Sequence, residues 1–465
     1  MSRKTKVKPN WLDPTTTAEN EKLPWYLKWA WTSRGLSLAV NAILIMQLTY
    51  YCTDMLGMGA TLVGTLLLVS KLFDGVTDLC VGYIIDRTNT KWGKARPYEI
   101  CILFVWLLTI LMFSAPDMGT TGKAVFVFIM YTLTNSICAT FLGGGEAVYL
   151  ARSIRSEKNR VSVMSFNGGI IMVCSIVISM LLPQLIAGLG ATKSGWTAIA
   201  MMIGIPLGLI GMLRFVFVKE VATEEPKHGE RKEAISLKTS LSCVIKNKYI
   251  WILSGMTLMV QLTTNIGNAV NTYYFKYVMG DIGLATLISF GSMLTPFVMM
   301  VFPVMSRKLG TVTLLRIGAV MGVAGYAIRI IGGTNLITLV VGSMIGSVAV
   351  LPITMMINIY LIDTMDYGEW KTGTRVEGML GSVNSFSFKL GSGIASGMVG
   401  LIMGAAGYDG TLEVQSVSAI ISIKALFNYL PMILMGVLLI LAICYKLDKE
   451  LPKIKEELAA RRQAK

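Results

Sequence analysis

The sequence contains little charge and almost no histidine. Charged residues make up 15% of the 465 positions, compared with about 25% in an average soluble domain. There is one histidine, His228, and the seven cysteines are scattered without a Cys-x-x-Cys pair. These absences argue against a Ser-His-Asp triad, a multi-histidine metal site and a disulfide framework. We therefore expect a chain that is not an enzyme and carries no cofactor.

Long apolar runs replace the missing charge. Hydrophobic residues make up 54% of the chain, and the mean hydropathy is +0.62. Runs of about 20 residues, the length that crosses a bilayer as a helix, recur from end to end. We predict an all-α polytopic membrane protein. Its spans would number about twelve, at residues 36–57, 62–85, 99–115, 123–150, 161–187, 195–217, 249–275, 283–304, 312–332, 336–361, 377–403 and 424–445.

One long hydrophilic stretch divides these spans into two equal sets. The predicted parts are a cytoplasmic N-terminal segment with interfacial aromatics (1–35), an N-terminal six-helix bundle (36–217), a cytoplasmic linker (218–248), a C-terminal six-helix bundle (249–445) and a basic cytoplasmic tail (446–465). Two bundles joined by a long charged linker are typical of carriers whose halves rock against each other.

The charge pattern predicts an orientation. The formal net charge is +15, and the basic residues follow the even-numbered predicted spans. Both termini are therefore expected in the cytoplasm, with the basic loops near anionic membrane lipid. No basic stripe with interleaved aromatics indicates nucleic-acid binding. Trp25, Tyr26, Trp29 and Trp31 predict an aromatic anchor at the membrane interface.

The second predicted span carries three charges on one helical face. Lys71, Asp74 and Asp78 are spaced three and four residues apart, which places them on the same side of a helix. An isolated charge at mid-membrane costs at least about 2.5–3.5 kcal/mol, so these side chains must face a protein interior or a wet cavity. A bound cation or a proton relieves the repulsion between the two carboxylates. The stripe indicates a cation or proton site; a structural buried ion pair is the alternative.

Two more polar side chains lie deep in predicted spans. The Thr140 hydroxyl could serve a cation near Asp74 and Asp78, or bond to its own backbone one turn back. Lys389 falls near mid-bilayer, too deep to reach the interface easily. It is expected to pair with Asp74 and Asp78 or to hold a substrate carboxylate, as a link between the cation and substrate sites.

Charged residues at the cytoplasmic ends of the spans suggest a gate. The stretch from residue 363 to 377 is rich in acids, which could close against Arg87 or Arg152 in one conformation; the alternative is a charged loop without a gating role. Glu146 is expected to pair with Arg152 or Arg155. The predicted gate residues are Asp86, Arg87, Arg152, Asp363, Asp366, Glu369, Arg375 and Glu377.

Several of these stretches together resemble the glycoside–pentoside–hexuronide:cation symporters, a branch of the major facilitator superfamily that includes the melibiose and glucuronide carriers. The matching residues are Phe73-Asp74-Gly75-Val76-Thr77-Asp78; Gly82 with Asp86-Arg87 and Arg96-Pro97; Asp363 with Asp366-Tyr367-Gly368-Glu369 through Glu377; and Asn384 with Lys389-Leu390-Gly391. The resemblance spans both halves and implies the major facilitator architecture.

The resemblance also implies roles for individual residues. In the family, the acids matching Asp74 and Asp78 hold the coupling ion, a hydroxyl matching Thr140 assists, and the lysine matching Lys389 joins the two sites. We add Thr77 to the cation site and Lys71 to the coupling group. Where melibiose carriers use acids and an arginine on the sugar, this chain has Leu38, Gly143 and Asn167. That departure favours an anionic glycoside such as a glucuronide.

The sequence therefore predicts Na⁺- or H⁺-coupled symport of a glycoside or hexuronide by alternating access. The alternatives are an uncoupled facilitator, a carrier of another amphiphilic solute, or a membrane receptor that does not transport. We expect a monomer in a bacterial cytoplasmic (inner) membrane. Polar residues that could bond substrate hydroxyls are Tyr50, Asn167, Asn265, Asn268, Asn358 and Ser385.

Overall fold

Helices make up the regular structure of the chain. A computed structural model describes residues 23–88, 90–154, 157–220, 237–292, 294–373 and 377–463. Within those residues the only extended pairing is an isolated bridge between Thr90 and Gly93. The predicted all-α class is confirmed.

The described helices form two compact units. The first comprises the described parts of Met1–Tyr51 and Leu72–His228, and the second those of Cys52–Lys71 and Gly229–Lys465. Helix α3, Ala60–Arg87, is shared, because its first turns pack in the second unit and the remainder in the first.

The first unit is built around its N-terminal helix. Its helices are α1 (Trp25–Ile45), α2 (Leu48–Tyr50), the later part of α3, α4 (Cys101–Met112), α5 (Thr120–Thr132), α6 (Thr140–Gly144), α7 (Glu146–Ser153), α8 (Glu157–Leu189), α9 (Lys193–Gly211) and α10 (Leu213–Phe217). Helix α1 packs on α8, α9 and α10, and α4 packs on α9. Trp31, Tyr149 and Val163 are among the buried residues that pack together at one end of this unit.

The second unit is built around a long central helix. Its helices are the first part of α3, α11 (Leu237–Lys246), α12 (Lys248–Tyr277), α13 (Ala285–Ser292), α14 (Leu294–Leu309), α15 (Thr311–Gly332), α16 (Leu336–Ala349), α17 (Leu351–Thr372), α18 (Glu377–Ala405), α19 (Val417–Lys424), α20 (Leu430–Cys444) and α21 (Leu447–Gln463). Helix α12 packs on α18 and α20, and α15 packs on α16 and α20. Leu253, Met256 and Tyr360 lie in its apolar core.

Nine stretches of the described helices are long and apolar enough to cross a membrane. They are Trp25–Met55, Thr120–Gly144, Ser162–Leu189, Lys193–Phe217, Ile282–Met299, Thr311–Gly332, Leu336–Ile357, Phe386–Ala405 and Val417–Arg461. The predicted spans 99–115 and 249–275 fall on α4 and α12, which are not among them, and within the predicted span 62–85 the apolar stretch found is the shorter Ala60–Lys71 of α3. An integral membrane protein is confirmed, and the count of twelve stays a prediction.

Three π-helical segments occur in the part of the chain that the structure describes. They are Tyr51–Met55, which follows α2; Leu133–Ala139, which joins α5 to α6; and Ala425–Tyr429, which joins α19 to α20. A π-helix shifts the backbone hydrogen bonds by one residue and is common at functional sites. Two of the three supply groups to polar clusters described below. In the third, the carbonyl of Phe427 accepts a hydrogen bond from the buried Arg329 guanidinium at 3.1 Å.

Helices extend beyond the predicted spans at both ends of the described chain. Helix α1 begins at Trp25, eleven residues before the expected start of the first span. Trp25 is 73% exposed but Trp31 only 1%, so the assignment of Trp31 to an interfacial anchor was wrong. The tail forms α21, which buries Ile454 and Leu458. Apolar side chains spaced along this otherwise charged segment let it pack on α17.

Glycine permits one close helix contact in the second unit. The first part of α3 packs along α18, where glycines recur at positions 393, 397, 400 and 404. A Cβ atom at Gly64 would lie 2.8 Å from the Cα atom of Gly400, which is closer than two non-bonded carbon atoms can approach. Small residues of this kind let membrane helices approach backbone to backbone.

Candidate functional site

Asp74 is a buried carboxylate on α3. It is 5% exposed, and it accepts a hydrogen bond from the Ser136 hydroxyl, which the π-helix Leu133–Ala139 presents. A carboxylate removed from water costs free energy unless donors or a cation compensate it. Sequence reasoning placed Asp74 in the cation site but missed Ser136. A hydroxyl at a π-helical position carries no signal in the sequence.

The two threonines predicted to assist the cation are bonded to the backbone. The Thr77 hydroxyl donates to the carbonyls of Phe73 at 3.2 Å and Asp74 at 3.1 Å. The Thr140 hydroxyl donates to the Asn135 carbonyl at 3.3 Å. This is the alternative that the sequence left open, in which the hydroxyl proton serves the helix. Each hydroxyl oxygen keeps lone pairs that can still face a cation.

The two lysines of the predicted coupling group lie in the second unit. The stem of Lys71 packs against α18 at Gly393, where an added Cβ would lie 2.8 Å from the Lys71 Cβ. Lys389 is half-buried on α18, one helical turn before Gly393. Helix α3 runs without interruption from Ala60 to Arg87 and carries both Lys71 and Asp74. Their common role in a cation site stays a prediction.

A pocket of about 140 Å³ opens in the second unit between α12, α17 and α18. Its lining residues are Thr257, Val260, Gln261, Ile353, Thr354, Ile357, Asn384 and Phe388. The Asn384 carboxamide oxygen accepts from the Thr257 hydroxyl at 3.0 Å, while Phe388 is 51% exposed. Amide and hydroxyl groups beside an aromatic face suit a polar ligand that also has an apolar surface. None of these lining residues was among the predicted substrate residues.

The predicted substrate residues are scattered in the described structure. Tyr50 is buried, with its ring centroid 6.0 Å from that of Trp196 in the first unit. Asn167 packs beside Gly35 on α1, and its carboxamide oxygen is buried without a hydrogen-bond donor. Asn265 donates to the backbone carbonyl of Gln261 at 2.8 Å and to its side-chain oxygen at 3.2 Å. Asn268 is exposed.

Seven of the predicted site residues fall outside the described structure, in whole or in their side chains. The side chains of Asp78, Asp86, Arg87, Asn358, Glu377 and Ser385 lie outside the described residues, as does all of Arg375. The predicted pairing between Lys389 and the two acids of α3 and the predicted closure onto Arg87 therefore stay predictions.

The acidic end of α17 is held by the C-terminal helix. Asp363 accepts from Lys455 at 3.3 Å, and the Trp370 indole donates to Glu457 at 2.6 Å. Burial raises the pKa of the Asp363 carboxyl above its ordinary value, and the Lys455 ammonium opposes that shift. Asp366 and Glu369, the other predicted gate acids here, are half-buried on the same helix.

Three successive backbone N–H groups bind Glu220, at the start of the predicted linker, in the first unit. The carboxylate of Glu220 accepts from the backbone N–H groups of Lys94 and Ala95 at 2.9 Å and Arg96 at 3.1 Å. Arg152 adds an ion pair to Glu220 at 3.6 Å. Successive backbone N–H groups are a ready site for a carboxylate. The predicted gate residue Arg152 thus has an acidic partner inside its own unit.

A buried network of two arginines and two glutamates lies in the first unit. Arg214, 1% exposed, contacts Glu146 at 2.9 Å and Glu99 at 3.6 Å. Arg34 contacts the same two carboxylates, and the Arg214 guanidinium lies 3.5 Å from the ring centroid of Trp31. Glu146 thus pairs with arginines of α1 and α10, while the expected partner Arg152 lies 3.6 Å from Glu220. The other expected partner, Arg155, lies outside the described residues.

A second buried carboxylate, Asp54, was also missed. It lies in the π-helix Tyr51–Met55, and its side chain is completely buried in the second unit. Lys276 and Tyr277 each donate to it at 2.6 Å. Sequence reasoning did not single out this aspartate within the predicted span 36–57, because its partners lie more than two hundred residues away along the chain.

Comparisons with known proteins agree with this architecture. The chain matches the family model described as MFS/sugar transport protein over residues 36–449. The isoprimeverose transporter of Lactiplantibacillus pentosus is 28% identical over 464 residues, covering 96% of this chain and 93% of that protein. A glucuronide carrier protein homolog of Escherichia coli (strain K12) is 25% identical over 448 residues, covering 93% and 94%.

A solved structure gives the same fold. A bacterial homolog of the human lysosomal transporter Spinster, inward-facing and occupied, has a TM-score of 0.64 at 14% identity, covering 93% of this chain and 98% of its own. The fold is that of major facilitator transporters, which are not enzymes. The chain belongs to the MFS/sugar transport family and, within it, to the glycoside–pentoside–hexuronide:cation symporters. Symport of a sugar with a cation is the activity of that family.

Proposed function

We propose that this protein is a secondary active transporter that couples the inward flow of Na⁺ or H⁺ to uptake of a glycoside or hexuronide. The observation that carries the proposal is Asp74, a carboxylate buried on a helix of an apolar membrane protein. Ionisable groups inside membrane proteins are rare and mark ion or proton pathways. A bound cation or a proton would neutralise Asp74 together with Asp78, four residues further along α3.

The substrate would bind in contact with the pocket of the second unit. Gln261 and Asn384 supply amide groups for sugar hydroxyls, and the exposed ring of Phe388 supplies a face for the apolar side of a sugar. The names of two relatives, an isoprimeverose transporter and a glucuronide carrier homolog, favour a glycoside or a glucuronide. Lys389, on the same helix as Asn384, would pair with a substrate carboxylate or with the acids of the cation site.

Transport would proceed by alternating access of two six-helix bundles, twelve spans in all, within a bacterial inner membrane. Asp86, Arg87, Arg152, Arg375 and the acids from Asp363 to Glu377 would form charge pairs on the cytoplasmic side that exist in one state and break in the other. We further propose a monomer with both termini in the cytoplasm, in keeping with the basic residues between its spans.

Uptake into proteoliposomes tests the proposal directly. The purified protein would be supplied with labelled isoprimeverose, a labelled glucuronide and a labelled neutral galactoside, each with and without an inward Na⁺ or H⁺ gradient. We expect one sugar to accumulate inside only when one of the gradients is present. Downhill flux that no gradient enhances would indicate an uncoupled facilitator, and binding without flux would indicate a receptor.

The Lys389→Ala variant tests the link between the two sites. Cation binding and substrate binding in a symporter share a coupling free energy, typically about 1–3 kcal/mol, and it acts in both directions. Lys389→Ala should weaken substrate binding and also remove the effect of the coupling ion on substrate affinity. Substrate titrations at low and saturating Na⁺, and at two pH values, measure both effects.

Asn384→Ala is the matched control for Lys389→Ala. It lies on the same helix, lines the pocket and carries no charge. Its loss should weaken substrate binding but preserve the ratio of affinities measured with and without the coupling ion. If Lys389→Ala also preserves that ratio, Lys389 is a structural lysine and not the link.

A further inference from the structure

The carboxylate of Asp54 is surrounded by donors from three separate parts of the second unit. Lys276 and Tyr277, at the end of α12, each donate to its Oδ1 atom at 2.6 Å. Tyr408, which follows α18, donates to Oδ2 at 2.6 Å, and the adjacent Thr53 hydroxyl donates at 2.8 Å. Four hydrogen bonds, one of them from an ammonium group, fully compensate this buried charge.

A second layer of contacts fixes the donors. The Thr53 and Tyr273 hydroxyls lie 2.8 Å apart, and the Tyr408 and Tyr277 hydroxyl oxygens lie 3.3 Å apart. The rings of Tyr273 and Tyr408 pack edge to face, with centroids 5.3 Å apart. The cluster thus ties the π-helix Tyr51–Met55 to α12 and to the loop after α18.

All members of the cluster lie on one side of the membrane by chain order. Asp54 falls near the end of the first predicted span, Lys276 and Tyr277 follow the seventh, and Tyr408 follows the eleventh. The ends of odd-numbered spans share a side, which is the non-cytoplasmic side when the termini are cytoplasmic.

The Asp54 cluster includes a segment whose two ends continue into the first unit, so movement of one unit relative to the other would act on the cluster. Residues 52–71 pack in the second unit, yet the chain on either side of them, Tyr51 and Leu72 onwards, belongs to the first. Alternating access moves the two halves of a transporter relative to each other. Residues 52–71 must then either leave the second unit or bend where they join the first.

We propose that Asp54 is the centre of a clasp that holds residues 52–71 to the second unit on the non-cytoplasmic side and opens in each transport cycle. This inference rests on the proposed transport function. The chemistry suits a reversible contact, because Asp54 and Lys276 have opposite charges and both regain water when the clasp opens. Lys276 is already 30% exposed in the closed clasp. A carboxylate and an ammonium in water cost far less than the same groups left unpaired in an apolar core.

Native Cys52 reports on the clasp. It lies two residues before Asp54 and is completely buried. The other six cysteines would be replaced by serine, and the reaction of Cys52 with a maleimide would be timed in detergent for the parent, Asp54→Asn and Tyr408→Phe. We expect labelling to accelerate at least about tenfold in Asp54→Asn, the change produced by about 1.4 kcal/mol in the opening equilibrium. Tyr408→Phe, which removes one donor, should accelerate it less.

Two controls separate clasp opening from general loosening. Asp117→Asn removes an ion pair with Lys193 that also lies between odd-span ends but is exposed, and it should leave Cys52 labelling unchanged. A second background that keeps only Cys243, buried elsewhere in the same unit, should show no acceleration with Asp54→Asn. Equal acceleration of labelling at Cys52 and Cys243 would mean that Asp54→Asn destabilises the whole unit, and it would overturn the clasp. Labelling of Cys52 at the parental rate in a folded Asp54→Asn variant would also overturn it.

Vesicles test the side on which the clasp opens. In right-side-out vesicles an impermeant maleimide should reach Cys52 from outside, faster in Asp54→Asn than in the parent. Labelling that requires permeabilised vesicles would overturn the proposal. Because the labelling experiments need no substrate, failure to find a transported sugar would count against the proposed function without affecting these results.

Discussion

Asp74→Asn is expected to abolish accumulation of substrate against a gradient while leaving exchange of substrate across the membrane partly intact. The amide keeps the size of the carboxylate but cannot attract a cation or take up a proton. Without that charge, the inward flow of the ion no longer favours inward movement of the sugar. Exchange requires only that the loaded carrier reorient, so it should survive. Counterflow and concentrative uptake, measured in the same proteoliposomes, distinguish the two activities.

Ser136→Ala provides the matched comparison for Asp74→Asn. It removes the hydroxyl that donates to Asp74 but preserves the negative charge. We expect it to change the concentration of cation needed for half-maximal uptake without eliminating accumulation. Normal accumulation in Asp74→Asn, with protein present in the membrane at parental levels, would remove Asp74 from the cation site.

Arg214→Met is expected to destabilise the protein by about 3–5 kcal/mol, the usual cost of removing one partner from a buried ion pair. The substitution leaves Glu99 and Glu146 with Arg34 alone, and it also removes the guanidinium from the face of Trp31. Melting of the detergent-solubilised protein should occur several degrees lower. The cation dependence of the protein that remains folded should not change, because the network has no described contact with Asp74.

Arg329→Met tests whether the loss of stability in Arg214→Met comes from the unpaired glutamates or only from replacing a buried arginine. Arg329 is also buried, at 6% exposure against 1% for Arg214, but its guanidinium donates to the carbonyl of Phe427. The cost should be nearer to that of leaving one buried acceptor unpaired, about 1–3 kcal/mol. Equal melting temperatures for the two variants would show that the glutamates contribute little to the stability of the first unit.

Sequence patterns predicted the features that depend on residues close together in the chain. The charged stripe on α3 could be predicted because helical periodicity alone places Lys71 and Asp74 on one face, and because charged residues are rare within an apolar run. The helical class followed from apolar runs for the same reason. The start of α1 was misplaced because Trp29 and Arg34 look like interfacial residues. In the structure Trp29 packs edge to face on Phe166 while staying exposed, and Arg34 is buried in an ion pair with Glu99.

Partners distant in sequence were not predictable in this way. Nothing near Asp54 in the chain indicates Lys276, 222 residues away, or Tyr408, 354 residues away. Glu146 has basic residues at suitable helical spacing, yet tertiary packing supplies Arg34 and Arg214 instead. For buried charges, the nearest partner is decided by which helices pack together, and spacing along one helix is a poor guide to that.

The π-helix Leu133–Ala139 affects how this chain is aligned with its relatives. A π-helical turn holds one residue more than an α-helical turn, so a relative that is α-helical at this point would be one residue shorter here. An alignment without a gap would then be out of register by one position on one side of the segment, a rotation of about 100° around the helix. Ser136 lies within this segment and Thr140 directly follows it. Roles transferred to either residue by alignment depend on where the gap is placed, and only superposition of structures fixes that position.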